Sequence, residues 1–276
     1  MTLRLAYNTN GASSHRLDDA LSLIADSGYQ GVALTLDHHH LDPFAAEWRA
    51  QTERLKQRLD QLGLGSVIET GARYLLNPRE KHEPTLLNPS LEGRARRIQF
   101  LCRAIDIAAI LGSETVSFWA GVPKPDVAPD QATAWLHEGL DAVCDHAADK
   151  QVSVSLEPEP GMLVETVADY VAVAERHPNL RLALDTGHCL VTQDIAPDQA
   201  VRDHADRLGT VSVEDMKIGD HTHLPFGEGD MDIPACLDAL EAVGFPGLVC
   251  VELSRESHRA DTMVPRSLAW LRECRR

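Results

Sequence analysis

Five acidic residues close short apolar runs in this chain: Asp37, Glu157, Asp185, Glu214 and Glu252. Singly, an acid in that place is an ordinary helix N-cap or salt-bridge partner. As a set they pose an electrostatic problem, because carboxylates gathered in one cavity repel unless protons or a cation neutralise them, and a hard divalent metal does so directly. Histidines stand close by. Asp185-Thr186-Gly187-His188 sets an imidazole just beyond one of the acids, and His221-Thr222-His223 follows the run that ends near Glu214. The run His38-His39-His40 comes directly after Asp37 and reads equally as a solvated loop or as a set of metal or substrate contacts.

For these groups to meet, the backbone must deliver each to one place, and the hydrophobic pattern says how. Short apolar runs at 3–7, 31–36, 64–69, 115–119, 152–157, 180–185, 210–213 and 249–253 alternate with stretches of helical periodicity. In 132–147, for example, Ala132, Leu136, Leu140, Val143 and Ala147 recur at spacings of three and four, which puts them on one helix face. The other helical stretches cover 16–27, 45–62, 91–111, 166–176, 197–206, 233–243 and 263–275. Gly28, Gly63, Gly112 and Gly244 stand where a helix must stop before the next strand. Eight strands alternating with eight helices predict a parallel sheet closed into a (β/α)₈ barrel, one domain over residues 1–276. An open doubly wound sheet is the alternative, but Asn8-Thr9-Asn10-Gly11 after the first strand is no glycine-rich phosphate loop.

Side chains alternate across a strand, and the two faces differ here. Val154 and Leu156 oppose Ser155 and Glu157; Leu182 and Leu184 oppose Ala183 and Asp185; Val249 and Val251 oppose Cys250 and Glu252; strands two and seven repeat the division. The aliphatic face suits the helix layer. The other lines the barrel and ends in an acid at the C-terminal mouth, where barrel enzymes carry their catalytic groups.

Composition narrows the function further. The 276 residues carry 42 acids against 26 lysines and arginines, a formal charge of −16, which opposes binding to nucleic acid or to an anionic membrane surface. No stretch is long and apolar enough to span a bilayer. Six scattered cysteines without close pairing predict a reducing, cytoplasmic setting and no zinc ribbon.

The motifs Leu156-Glu157-Pro158-Glu159-Pro160-Gly161, Leu184-Asp185-Thr186-Gly187-His188, His223-Leu224-Pro225-Phe226-Gly227-Glu228-Gly229-Asp230 and Val251-Glu252-Leu253 resemble the xylose isomerase-like barrels. Sugar epimerases, hydroxypyruvate isomerases, inosose dehydratases and endonuclease-IV-type enzymes make up that superfamily. The resemblance covers essentially the whole chain. It implies one divalent metal, Mn²⁺, Mg²⁺ or Co²⁺, on Glu157, Asp185 and Glu252. The fourth family ligand, a histidine on strand seven, is replaced by Ser212 in Ser212-Val213-Glu214-Asp215; Glu214, His188, His223 or water would take its place. The endonuclease-type relatives use several Zn²⁺ ions, and here the strand-three exit Glu69-Thr70-Gly71 lacks the histidine expected of them.

The expected chemistry is proton transfer on a sugar or other hydroxy-carbonyl compound through an enediolate. Glu157 and Glu252 are the candidate acid and base, with His188, His38, Trp119 and Arg255 as candidate substrate contacts. A dehydratase-type lyase and a multi-zinc phosphodiester hydrolase are the alternatives. A homodimer or homotetramer is implied by the resemblance alone.

Overall fold

The computed structural model describes residues 2–274. Eight strands form a closed parallel barrel: β1 (Arg4–Asn8), β2 (Gly31–Thr35), β3 (Gly65–Glu69), β4 (Val116–Trp119), β5 (Val154–Glu157), β6 (Arg181–Asp185), β7 (Leu208–Val213) and β10 (Leu248–Val251). Their order round the ring is β1-β10-β7-β6-β5-β4-β3-β2. Around it lie α1 (Leu17–Ser27), α2 (Trp48–Leu62), α3 (Leu91–Leu111), α4 (Pro129–Lys150), α5 (Val167–Arg176), α7 (Pro197–Asp203), α8 (Ile233–Ala242) and α9 (Ala260–Glu273).

Three elements lie outside the simple alternation. Helix α6 (Thr186–Thr192) starts directly on the last residue of β6, and β8 (Asp215–Lys217) pairs antiparallel with β9 (Asp220–Leu224) as a hairpin above the barrel. The sequence pattern missed α6 because it has no linker before it and only two turns of chain. It missed the hairpin because Asp220-His221-Thr222-His223 is too polar to read as a strand.

The predicted division of faces is observed. Val32, Leu34, Val154, Leu156, Leu182, Leu184, Val211, Val249 and Val251 are all buried in the continuous core shared with the helices. Inside the barrel, Ala6, Ala33, Val67, Leu248 and Cys250 form a separate apolar plug. Burying each Leu or Val contributes about 1.5–3 kcal/mol, so the alternation that sends aliphatic groups outward fixes the register that sends acids inward. The four glycines stop their helices as expected, with φ between +67 and +100°. Among the described residues no helix is long and apolar enough to cross a membrane.

Candidate active site and metal centre

The C-terminal mouth opens into a cavity of about 590 Å³. Its lining includes Glu69, Trp119, Glu157, Glu159, His188, His221, His223, Glu252 and Arg255. Asp185 and Glu214 lie just beneath, 2 % and 0 % exposed.

Helix α6 shows how local structure aims a ligand. Asp185 caps it, Oδ1 accepting from the backbone N–H of Gly187 (2.8 Å) and His188 (3.2 Å). The other oxygen, Oδ2, accepts no backbone hydrogen bond and is turned toward His188 and Glu214. His188, on the first turn, donates Nδ1–H to the carbonyl of Pro158 at 2.9 Å. That contact needs a proton on Nδ1, and whenever the ring is neutral the Nε2 lone pair is then the one left facing the cavity, the usual arrangement for a metal-ligating or substrate-contacting imidazole. Nε2 lies 3.0 Å from His221 Nε2 and 3.5 Å from Asp185 Oδ2.

The hairpin brings the remaining donors. His221 and His223 are two apart on β9, so period-two alternation places them on one face. Asp215 secures the base of this arm, accepting from Gly227 N–H (2.8 Å) and Met231 N–H (3.1 Å). Close packing admits Glu214. A Cβ on Gly187 would collide with Glu214 Oε1 and stand 2.8 Å from the Met216 side chain, so a larger residue there would push the Glu214 carboxylate out of this position.

One atom from each of Asp185, Glu214 and His223 lies within 4.8 Å of the others. Asp185 Oδ2, both Glu214 oxygens and His223 Nδ1 are buried, and apart from the contact the two carboxyls can make with each other through a shared proton they have no hydrogen-bond partner among the described residues. Buried polar atoms are nearly always satisfied. Two carboxylates and an imidazole left open toward each other fit a divalent cation, with mixed N and O donors of the kind that Zn²⁺, Mn²⁺ and Co²⁺ accept. Two overlapping sets, Glu157/Asp185/His188 and His188/His221/His223, meet the same distance criterion.

Electrostatics fits such a site. Burial, followed by repulsion from neighbouring acids, holds the carboxyls of Glu69, Glu157 and Glu214 well above the usual range. Burial also acts on Asp185 and His188, but mutual attraction outweighs it, so the Asp185 carboxyl is lowered and the His188 imidazole raised. Burial and the charge on His188 push His221 down to about 4, keeping its imidazole neutral and able to ligate.

Of the residues singled out in the sequence, Glu157, Asp185, His188, Glu214, His223, Glu252, Trp119 and Arg255 are brought to this mouth. Glu252 Oε1 accepts from Asn10 Nδ2 at 2.9 Å and belongs to none of the close donor sets. Asp37 and His38 are not brought there. The His38 side chain is 73 % exposed and pairs with Asp37 at 2.7 Å, away from the cavity lining, because the loop after β2 turns outward at once. The expectation that Asp37 would converge with the other acids is therefore corrected.

Two acids were missed as site residues. Glu69 ends β3 inside the ring, but Val67 interrupts the small-or-polar inner face that marked the other strands. Glu159 lies two residues beyond β5, with Oε2 3.9 Å from His188 and Oε1 3.7 Å from His221; its signal was the second acid of Glu157-Pro158-Glu159. The Glu159 carboxyl is raised, chiefly by burial. Trp119 forms a wall backed by the buried Arg97 guanidinium, 4.3 Å from its ring centroid, and by the edge of His82 at 5.3 Å.

A profile of the family described as xylose isomerase-like TIM barrel matches residues 21–274. The chain belongs to this family. L-ribulose-5-phosphate 3-epimerase UlaE of Salmonella paratyphi A is 25 % identical over 231 residues, covering 82 % of this chain and 81 % of its own. In structure the chain is similar to 3-keto-D-glucoside 4-epimerase YcjR from E. coli (TM-score 0.79, 18 % identity, 99 % of this chain and 100 % of that one). It is also similar to the IOLI protein with a bound zinc atom (TM-score 0.76, 17 % identity, 99 % and 96 % covered). Sugar epimerases thus stand among both the sequence relatives and the structural neighbours.

Proposed function

We propose that this protein is a metal-dependent sugar isomerase or epimerase that moves a proton on the carbon beside a carbonyl. The observation that carries the reading is the pairing of two cavity acids, Glu157 and Glu252, set three staves apart around the ring, with a donor cluster that lacks partners between them. Asp185, Glu214 and His223 would hold the metal, with Glu157 and His188 as neighbouring donors. Bound there, a divalent ion would act as a Lewis acid, drawing charge from the substrate's oxygens as the adjacent proton leaves.

The side chains supply the rest. Glu157 is kept proton-hungry by burial and by Glu159, which suits a group that accepts a proton from carbon near neutral pH. Glu252, oriented by Asn10 Nδ2, would serve the other face of the same carbon. His188 would bind a substrate oxygen, and Trp119 would cover an apolar ring face and keep water from the reacting carbon. Relatives named as sugar 3- and 4-epimerases support the same chemistry.

The test is solvent deuterium incorporation into a panel of ketoses by the Mn²⁺-loaded protein. Glu157→Gln and Glu252→Gln are each expected to slow exchange by about 10²- to 10⁴-fold. Full activity in both variants refutes the acid and base roles. A product lighter by one water points to a lyase instead, and two or three tightly bound zinc ions with phosphodiester cleavage point to a hydrolase.

A further inference from the structure

A cavity lined by Glu69, Glu157, Glu159 and Glu252 also carries cations, and these face it without a carboxylate partner. Three such cations line the mouth cavity: Arg73 and Lys81 from the loop after β3, and Arg255 from the loop after β10. None forms an ion pair or side-chain hydrogen bond among the described residues. The acids nearest in sequence are engaged elsewhere. Glu80 and Glu83, which flank Lys81, both bind Lys124, and Glu256, beside Arg255, binds Arg259.

The loop that presents two of these cations is held in a costly shape. Ala72, Arg73 and His82 all lie in the left-handed region, with φ of 59, 39 and 69°, which an L-residue adopts only at a cost. His82 closes the loop on itself: its N–H donates to the Arg73 carbonyl at 2.6 Å, its Nδ1–H to the Gly71 carbonyl at 2.6 Å, and its ring edge meets Trp119. Arg73 and Lys81 therefore stand at a fixed lip. In the ring, β3, β2, β1 and β10 are consecutive, and β6, with the Asp185 cluster, is diametrically opposite β2. Arg73 and Lys81 thus stand on the β3 side of the mouth, across the ring from β7, while Arg255 follows β10, the neighbour of β7, and comes near enough to the hairpin to act on His221.

We infer that the substrate is a sugar derivative with an anionic terminus, a phosphate monoester or a carboxylate, held by Arg73, Lys81 and Arg255 while its carbonyl end lies over the Asp185, Glu214 and His223 cluster. This rests on the epimerase reading for the carbonyl end alone. Three cationic donors from two loops suit an anion better than a neutral hydroxyl, since charge-assisted hydrogen bonds are about twice as strong as neutral ones.

The experiment has two arms. In the first, inorganic phosphate and acetate are titrated into the Mn²⁺-loaded protein by calorimetry, for the wild type and for Arg73→Gln, Lys81→Gln, Arg255→Gln and the triple variant. Arg79→Gln, exposed in the same loop and outside the cavity lining, is the control. Each cavity substitution is expected to weaken binding of the preferred anion by about 10- to 100-fold, and the control to leave it unchanged. Phosphate or acetate binding that survives in the triple variant overturns the proposal, because the anion then sits elsewhere.

In the second arm, deuterium exchange is compared for a ketopentose, its 5-phosphate and a keto-sugar acid. Preference for the phosphate or for the acid names the terminus, and that preference should collapse in the triple variant. Equal exchange of all three sugars sinks the anionic clamp while the epimerase reading stands. Anion binding that the variants abolish, without exchange of any sugar, retains the clamp and refutes the epimerase.

Discussion

Replacing Glu214 by Gln should affect the metal-free and the metal-loaded protein in opposite ways. Glu214 is fully buried, its one side-chain hydrogen-bonding contact among the described residues is with the Asp185 carboxyl, and burial followed by the charge on Asp185 raises its carboxyl well above the ordinary range. A carboxyl so placed must either be ionised in a dry site or bind the proton that neutralises it, and both cost folding free energy that grows with pH; the His223 imidazole lies 3.9 Å away. Removing the charge without changing the shape should stabilise the metal-free protein by about 1–3 kcal/mol, or about 2–10 °C in melting temperature for a chain of this size.

The sign with pH follows from the raised value. An acid whose folded pKa is raised lends its stability below its unfolded value and loses it as pH climbs through the folded one. The advantage of Glu214→Gln in chelator should therefore widen from pH 5 to pH 8. With Mn²⁺ in excess, a ligand lost at about 100-fold in affinity removes about 2.7 kcal/mol of binding stabilisation. The metal-induced rise in melting temperature should then shrink by about 5–10 °C relative to the wild type. Differential scanning calorimetry with and without chelator reads both effects. An equal metal-induced rise in the two proteins would show that Glu214 is no ligand, and a lower melting point for the metal-free variant would show that its charge is not strained.

Two further outcomes follow from the loops. Asp215→Asn loses one of the two acceptors that hold the Gly227 and Met231 amides; it should lower stability by about 1–3 kcal/mol and weaken Mn²⁺ binding through the loosened hairpin, and an unaltered melting point and metal isotherm would refute that coupling. His82 is lowered to about 4, chiefly by burial, so the order it lends the loop is complete above its ordinary value near 6.5 and fades as pH falls toward 4. Amide exchange over 71–83, corrected for intrinsic rates, should accelerate between pH 7 and pH 5 in the wild type and much less in His82→Asn; parallel profiles would refute it.

Much of the fold was legible because burial enforces simple periods. All eight barrel strands fall where aliphatic alternation placed them, with ends shifted by one or two residues, and the observed barrel mouth gathers Glu157, Asp185, Glu214 and Glu252. What stayed hidden was set by loops. Nothing in His38-His39-His40 tells which way the chain turns after β2, whereas His221-Thr222-His223 depends on a hairpin whose ladder has few apolar side chains to announce it. Glu69 was obscured by one valine. Ser212 was readable as an exception to the family pattern, with Glu214, His188 and His223 among the candidates to stand in for it; choosing among them needed the packing that sets Glu214 against Gly187 and beside His223.

The placement of His221 and His223 on the β8–β9 hairpin separates two things that barrels usually join. An imidazole on a barrel stave cannot be repositioned without disturbing neighbours on both sides, since its backbone is part of the closed hydrogen-bonded wall. On the hairpin, a one-residue insertion would turn both rings to the opposite face, and a change of arm length would move them together, with the wall untouched. Descendants of such a protein can therefore change what these two rings contact by editing a short arm while inheriting the scaffold intact.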